Sequence, residues 1–314
     1  MDNICHTLVG AAIGEAGLKR RTPLGTATLL IGANLPDIDV IAVPLGHSLE
    51  FRRGWTHGLL ALLVLPFVLT GIMLAWDALV RRRRAGPIVA PANPTALLVL
   101  SAISILTHPT LDWMNVYGVR WLMPFSNRWF YGDVLFIVDP WIWIALGLGV
   151  WLARRRSRRG HPRFTRPARV ALGAVGAYIV LMLSSASAAR RIVGRELAGL
   201  GVRPDARLMV SPVPLDPLRR EVVVDDGARY RFGTFDWWPD ARVRIAASAL
   251  PANASSAAST TAAFTSEGSA FLSWARFPFF VIEHTGADTI VHIGDARYTR
   301  DARASWAATT VRLP

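Results

Sequence analysis

His108 and Asp112 stand four residues apart in "THPTLDWMNVYG", at the end of a run (residues 94–111) that contains no Asp, Glu, Lys or Arg. On a helix this spacing puts both side chains on one face, one turn apart, where both can reach a single ion. Imidazole and carboxylate together suit zinc, manganese or iron. The same spacing also serves a hydrogen-bonded helix terminus, so the pair alone leaves both readings open. Upstream, Asp37 and Asp39 flank Ile38 in "NLPDID", and His57 follows Thr56 in "RRGWTHG". A Pro-Asp-x-Asp turn is equally a helix stop and cap, and His57 is equally an interfacial residue opening an apolar helix. Asp139 lies within an otherwise apolar stretch, where an ionisable group is costly and usually functional. Asp77 sits beside the basic residues 81–84 and is expected to pair with them. Taken as a set, these residues could hold two or more divalent ions that clamp a phosphate ester and activate a water. Arg53, with Arg52 beside it, has the planar donor fork that holds such an anion.

The elements that must position this set are apolar and long. Residues 58–80, 94–111, 134–153 and 170–189 each approach or reach the roughly 20 helical residues that a bilayer core requires. Residues 22–36 are uncharged but become long enough only by including Asp37 and Asp39, and residues 4–18 are shorter still. The chain of 314 residues carries 35 Lys and Arg against 22 Asp and Glu, a net charge of +13, and is 52% hydrophobic. Most of that excess falls in loops at residues 19–21, 81–84 and 154–159, while the intervening loops are poorer in Arg and Lys. By the positive-inside rule the rich loops are cytoplasmic, which accounts for the charge without nucleic acid. The same rule then brings Asp37, Asp39, Arg53, His57, His108, Asp112, Asp133 and Asp139 to the outer face. His6 joins them if residues 4–18 form a hairpin with the next helix.

Other chemistries are excluded or unsupported. A single cysteine, Cys5, rules out an intrachain disulfide and a Cys-rich zinc site. No serine nucleophile elbow, glycine-rich phosphate loop or Cys–His pair is present. His47, His161, His284 and His292 lack comparable company. The N-terminus does not read as a cleavable signal peptide, because its basic residues follow the apolar stretch.

"NICHTLVGAAIG", "GANLPDIDV", "RRGWTHG" and "THPTLDWMNVYGVRWLMPFSNRWFYGDVLFIVDP" together resemble the membrane-bound metal-dependent hydrolases, also called LexA-binding, inner-membrane-associated hydrolases. The resemblance covers about residues 1–190. It implies a metal and hydrolysis, and carries over His6, Asp37, Asp39, His57, His108 and Asp112 as the metal set, with Asp133 and Asp139 following as base or further ligand. Arg52 stands where the family often has histidine, and Gly58 where serine is common. LexA binding has no support in these residues. A more distant likeness to zinc-dependent phospholipase C and the single-strand nucleases rests only on the order His, Asp, His, HxxxD.

After residue 189 the pattern becomes short and alternating, with a hairpin signal around Thr285–Asp288. Residues 251–263 are rich in Ala, Ser and Thr and read as a loop. Trp237, Trp238, Trp274 and the aromatics of residues 277–280 are expected to form a core rather than lean on a membrane interface.

The expected architecture is therefore an α-helical polytopic membrane domain, residues 1–190, with about five spanning helices and a short N-terminal helix. A small β-rich extracytoplasmic domain, residues 191–314, follows. The expected activity is phosphoester hydrolysis of a lipid-borne or membrane-proximal substrate by a metal-activated water, in the bacterial inner membrane. The cofactor is one to three divalent ions, zinc first and manganese second. The partners are the lipid bilayer and the substrate it presents. Two other readings stay open: a non-enzymatic scaffold stapled by a polar or metal cluster, and a transporter with Asp139 and the histidines on its ion path.

Overall fold

The computed structural model describes residues 1–42, 44, 48–85, 89–203, 205–286, 288–303 and 306–313. His47 lies outside them. The chain divides into two compact units, Met1–Leu183 and Ser184–Pro314.

The first unit is helical. Asp2 starts helix α1 (Asn3–Glu15) by accepting from the backbone N–H groups of Ile4 and Cys5, which satisfies donors a helix start leaves orphaned. Helix α2 (Gly25–Asn34) runs directly into a 3-10 helix, Leu35–Ala42. A short α3 (Ser48–Phe51) precedes α4 (Leu59–Trp76), which continues through a π-helical turn, Asp77–Arg81, into α5 (Arg82–Ala85). Asp77 pairs there with Arg81 and Arg82 and accepts from the Ala92 N–H, as its position in the sequence leads one to expect. Helix α6 (Pro94–Trp113) is capped by Asn93, with proline at its first position, where no N–H is needed. Helices α7 (Pro140–Arg158) and α8 (Arg166–Gly199) follow.

Among the described residues, three helices are long and apolar enough to cross a membrane: Leu59–Arg84, Pro94–Trp113 and Arg166–Gly199. The sequence reading expects about five. Helix α2 has only 10 residues. Helix α7 begins at Pro140 rather than at residue 134, because Asp139 accepts from the Trp141 and Ile142 N–H groups and caps it there. Its last turn is also arginine-rich.

Helix α6 packs between α2 and α4, and α1 packs on α2 and α7. The approach of α2 to α6 needs a missing side chain: a Cβ on Gly32 would lie 2.1 Å from Ser104 Oγ. This close contact is what brings the C-terminal end of α2 against the lower half of α6, where His108 sits.

The second unit is layered. Strands β1 (Arg207–Pro212), β2 (Arg219–Asp225), β3 (Arg229–Asp236) and β4 (Arg242–Pro251) form an antiparallel meander. Strands β5 (Pro278–Thr285), β6 (Asp288–Asp295) and β7 (Ala308–Leu313) form a second antiparallel sheet, with Thr285 paired to Asp288 across the expected hairpin. Side chains alternate across β2. Val222 and Val224 pack with Ala189, Val193 and Leu197 of α8; Val223 faces Phe277 and Phe279 of the other layer. Residues 251–263 are not all loop: Ser256 caps a short helix α9 (Ala257–Ala263), followed by α10 (Ser266–Trp274). Trp274, Phe277, Phe279 and Phe280 are buried in the core, Trp237 packs against it, and Trp238 does not.

Candidate metal centre

Three segments of the first unit deliver four side chains to a common point. The 3-10 helix supplies Asp37, the turn before α4 supplies His57, and α6 supplies His108 and Asp112. One ligand atom from each of these four lies within 4.8 Å of all the others. His57 Nε2 is 3.4 Å from Asp112 Oδ2 and 3.9 Å from Asp37 Oδ1. His108 Nε2 is 3.5 Å from Asp112 Oδ2 and 3.6 Å from Asp37 Oδ1. Ligands about 2.0–2.1 Å from a tetrahedral ion stand about 3.3–3.4 Å apart, and these four separations are equal to that or slightly longer. None of the four makes a hydrogen bond. At 3.4–3.9 Å they stand at or beyond the long limit of hydrogen bonding, and buried polar atoms without partners are costly. The residues present thus fit a divalent cation.

The opposite atoms of the same side chains are fixed. His108 Nδ1 is 2.7 Å from the Ala33 carbonyl oxygen; only a protonated Nδ1 can bond there, which turns a bare Nε2 lone pair toward the centre. His57 Nδ1 is 3.0 Å from Thr56 Oγ1 and 3.5 Å from Asp39 Oδ2. A carboxylate–histidine arrangement of this kind orients a ligating imidazole and raises its basicity. Burial drives the His57 pKa below its ordinary value, and that of His6 down to about 4, so both rings are neutral near pH 7.

Asp37 and Asp39 have different surroundings because a 3-10 helix turns about 120° per residue. Two positions apart, they point to different sides. Asp39 Oδ2 accepts from the Arg53 N–H at 2.7 Å and lies behind His57. It supports a ligand and stands outside the quartet. Asp39→Asn is expected to lower metal affinity by about 10–100-fold, the range for outer-shell partners; titration calorimetry on the purified protein measures it.

Arg53 is buried at φ +50°. Its Nη2 donates to Asp112 Oδ1 at 3.0 Å, and its Nη1 to Asn115 Oδ1 at 3.2 Å and to the Gly118 carbonyl at 3.4 Å. Its guanidinium lies over the Tyr117 ring. Arg53 therefore holds one oxygen of Asp112, leaving the other for the centre. The Met1 amino group also reaches Asp112 Oδ1. His6 Nε2 lies 3.3 Å from that oxygen, and its ring stacks on His108 with centroids 3.7 Å apart. His6 is adjacent to the quartet rather than within it. Asp139 is engaged with the start of α7 and accepts from the Tyr178 hydroxyl at 3.0 Å. Asp133 is buried, with φ +54°, and also lies outside the quartet.

Residues that a search for titratable pairs passes over are Thr56, Asn115, Tyr117 and the Ala33 carbonyl. Asn115 lies past the end of α6, in the turn that follows Trp113, so helical spacing from His108 and Asp112 does not mark it. The Ala33 carbonyl is backbone and leaves no mark on residue identity.

The family model described as "YdjM inner membrane protein" matches residues 1–192. The chain is 23% identical over 167 residues to YfhP of Bacillus subtilis (strain 168), described as an uncharacterized protein; the match covers 49% of this chain and 47% of that one, so it spans about half of each. No solved structure matches the chain.

Proposed function

We propose, for a chain that belongs to the YdjM inner membrane protein family, a membrane-bound metal-dependent hydrolase acting on phosphoesters presented by the bilayer. The observation that carries this reading is the convergence of four unbonded ligand atoms from Asp37, His57, His108 and Asp112. A divalent ion held there supplies Lewis acidity, which activates water at neutral pH and withdraws charge from an ester oxygen. Two imidazole nitrogens and two carboxylate oxygens suit zinc first.

The chain's own residues do the rest. Ala33 and the Thr56–Asp39 pair hold His108 and His57 in the ligating tautomer. Arg53 fixes Asp112. The His57, His108 and Asp112 side chains are fully buried, whereas Asp37 retains 11% exposure, making its side the open one. In the same 3-10 helix Ile38, Val40 and Ile41 expose large apolar surfaces, as does Trp55 in the turn that carries His57. An apolar rim beside a polar centre favours a substrate with a lipid tail over a free phosphate ester.

In this reading α4 with α5, α6, α7 and α8 cross the membrane, α7 ending with its arginine-rich last turn on the cytoplasmic side. The arginine-rich residues 81–84 and 154–159 are cytoplasmic, and the centre opens on the extracytoplasmic side. A second reading has its own observation in favour. Four protein ligands fill a tetrahedral shell, as structural zinc sites do, and such an ion would staple α4 and α6 to the 3-10 helix without turnover.

The test is elemental analysis of detergent-purified protein prepared without chelators, followed by assays on phosphomonoester and phosphodiester substrates, soluble and lipid-borne. The expected result is about one zinc per chain or more and faster turnover of the lipid-borne ester. Zinc without turnover of any ester supports the staple. No bound transition metal, and none taken up on addition, overturns both.

A further inference from the structure

The second unit presents two apolar loop tips at one end of its first sheet. Leu215 and Leu218 lie in the β1–β2 loop and Trp238 in the β3–β4 loop, and they are 65%, 55% and 79% exposed. The loops are neighbours, since the Trp237 N–H donates to the Leu218 carbonyl at 2.9 Å. Leu215 holds φ +66°, a conformation for which glycine or asparagine is favoured. A leucine kept there offers a side chain at the expense of backbone comfort.

The direction in which these tips point is set by α8. Arg220 Nη2 and Trp237 Nε1 both donate to Ser185 Oγ, at 3.1 and 2.8 Å. At the other end of β2, Val224 lines a small cavity with Gly194 and Leu197. Strand β2 therefore runs alongside α8, with its Arg220 end toward the helix's apolar stretch and its Val224 end away from it. Ser185 lies within that uncharged stretch, residues 170–189, before exposed Arg190 and Arg191. Five residues of helix are about 7.5 Å, comparable to the roughly 5–7 Å of headgroup region on each side of a bilayer. With the two arginines at headgroup level, Ser185 reaches the hydrocarbon boundary, and the tips beyond Arg220 and Trp237 lie at or below it. Only 17% of the most apolar part of α8 is buried inside the protein, which leaves its surface for lipid if α8 spans.

The far end of the same sheet is different. The β2–β3 turn is Asp226–Gly227–Ala228, flanked by Asp225 and Arg229, with no large apolar side chain. Large apolar side chains stand only at the first of these two ends, beside Asp216 and Asp240, whose carboxylates suit the headgroup level of an interface.

We propose that Leu215, Leu218 and Trp238 insert into the interfacial layer of the bilayer that α8 crosses, so that the β-rich unit is held to the membrane surface by its loops as well as by its helix. The occupant is the lipid surface itself. The inference depends on α8 spanning, and not on the metal centre or on turnover.

The single cysteine makes the test direct. In a Cys5→Ala parent, Trp238→Cys and Leu218→Cys are labelled with an environment-sensitive nitrobenzoxadiazole. Ala228→Cys at the opposite turn is the control. All three substituted positions are exposed, so folding is not at stake. The full-length proteins are reconstituted in phosphatidylethanolamine–phosphatidylglycerol vesicles with and without headgroup-level spin-labelled lipid. The expected result is severalfold stronger quenching by the spin-labelled lipid at positions 238 and 218 than at 228, with weaker quenching by aqueous iodide. Equal lipid quenching at all three positions overturns the proposal. Protection from iodide without lipid quenching also overturns it, and assigns the patch to a second copy or another protein.

Discussion

Replacing His108 with alanine is expected to leave a protein that inserts and folds but retains no stoichiometric metal. The side chain does two things at once. Its Nε2 is one of four atoms aimed at the centre, and its Nδ1 satisfies the Ala33 carbonyl at 2.7 Å. Loss of an outer-shell partner costs about 10–100-fold in metal affinity; loss of a ligand atom itself should cost at least the upper end of that range. Any ester hydrolysis should fall in proportion. Truncation also leaves the Ala33 carbonyl buried and unpaired, a cost of about 1–3 kcal/mol. His108→Gln separates the two effects, because it keeps a polar side chain of similar volume near Ala33 while changing the ligand. Elemental analysis of both variants beside the wild type is decisive. If His108→Ala binds zinc as the wild type does, the quartet is not the metal site, whatever the assays show.

How much of this centre is legible in the sequence depends on which element carries each residue. His108 and Asp112 are readable because they sit on one continuous helix, where a four-residue spacing has a single geometric meaning. Asp37 and Asp39 are not separable by type or spacing. Only the 3-10 conformation of Leu35–Ala42 divides them, giving one to the ligand group and the other to Arg53 and His57. Arg53 reads in sequence as an anion donor; its observed contacts are to Asp112, Asn115 and Gly118, a long-range placement that local pattern does not encode. Asp139 reads as a charge inside an apolar span. It is in fact the residue at which the span's helix starts, a reading that the following Pro140 already offers. Apolar length is legible in the sequence, and among the described residues three helices keep the length and composition to cross a membrane, the other apolar runs being interrupted by a turn, a cap or an arginine-rich end. In the second unit the core aromatics follow expectation except Trp238, because alternation along a strand predicts facing and a loop residue has none.

The charges around the centre explain why its residues come as a set. Asp37, Asp39 and Asp112 carry three negative charges, and Arg53 one positive. Burial pushes the Met1 amino group and the His6 and His57 imidazoles toward their neutral forms. With His57 and His108 neutral, as ligation of an ion requires, the cluster is left at minus two, which one divalent cation cancels. A monovalent ion would leave a buried charge, and uncompensated charge in a low-dielectric interior is expensive.

Arg53→Met tests that accounting through stability. Removing the guanidinium takes away the 3.0 Å partner of Asp112 Oδ1, and breaking one side of a buried ion pair typically costs about 3–5 kcal/mol. In the metal-free protein the variant would leave the buried Asp112, close to Asp37 and Asp39, without its arginine, and should lose stability in that range. With the ion present the residual charge is only minus one, so the loss should be smaller. The gap in melting temperature between zinc-loaded and chelator-treated protein should therefore widen in Arg53→Met relative to wild type. A competing effect has the opposite sign, because Arg53 also holds the Asp112 carboxylate in its ligating orientation, and a looser ligand binds metal less well. Magnitudes favour the electrostatic effect: an outer-shell loss of about 10–100-fold is worth about 1.4–2.7 kcal/mol, below the charge term. Paired thermal melts in detergent, each variant with zinc and with chelator, read the gap directly. A gap that narrows in Arg53→Met would show that positioning outweighs neutralisation. Asp112 would then depend on Arg53 for its geometry more than for its charge.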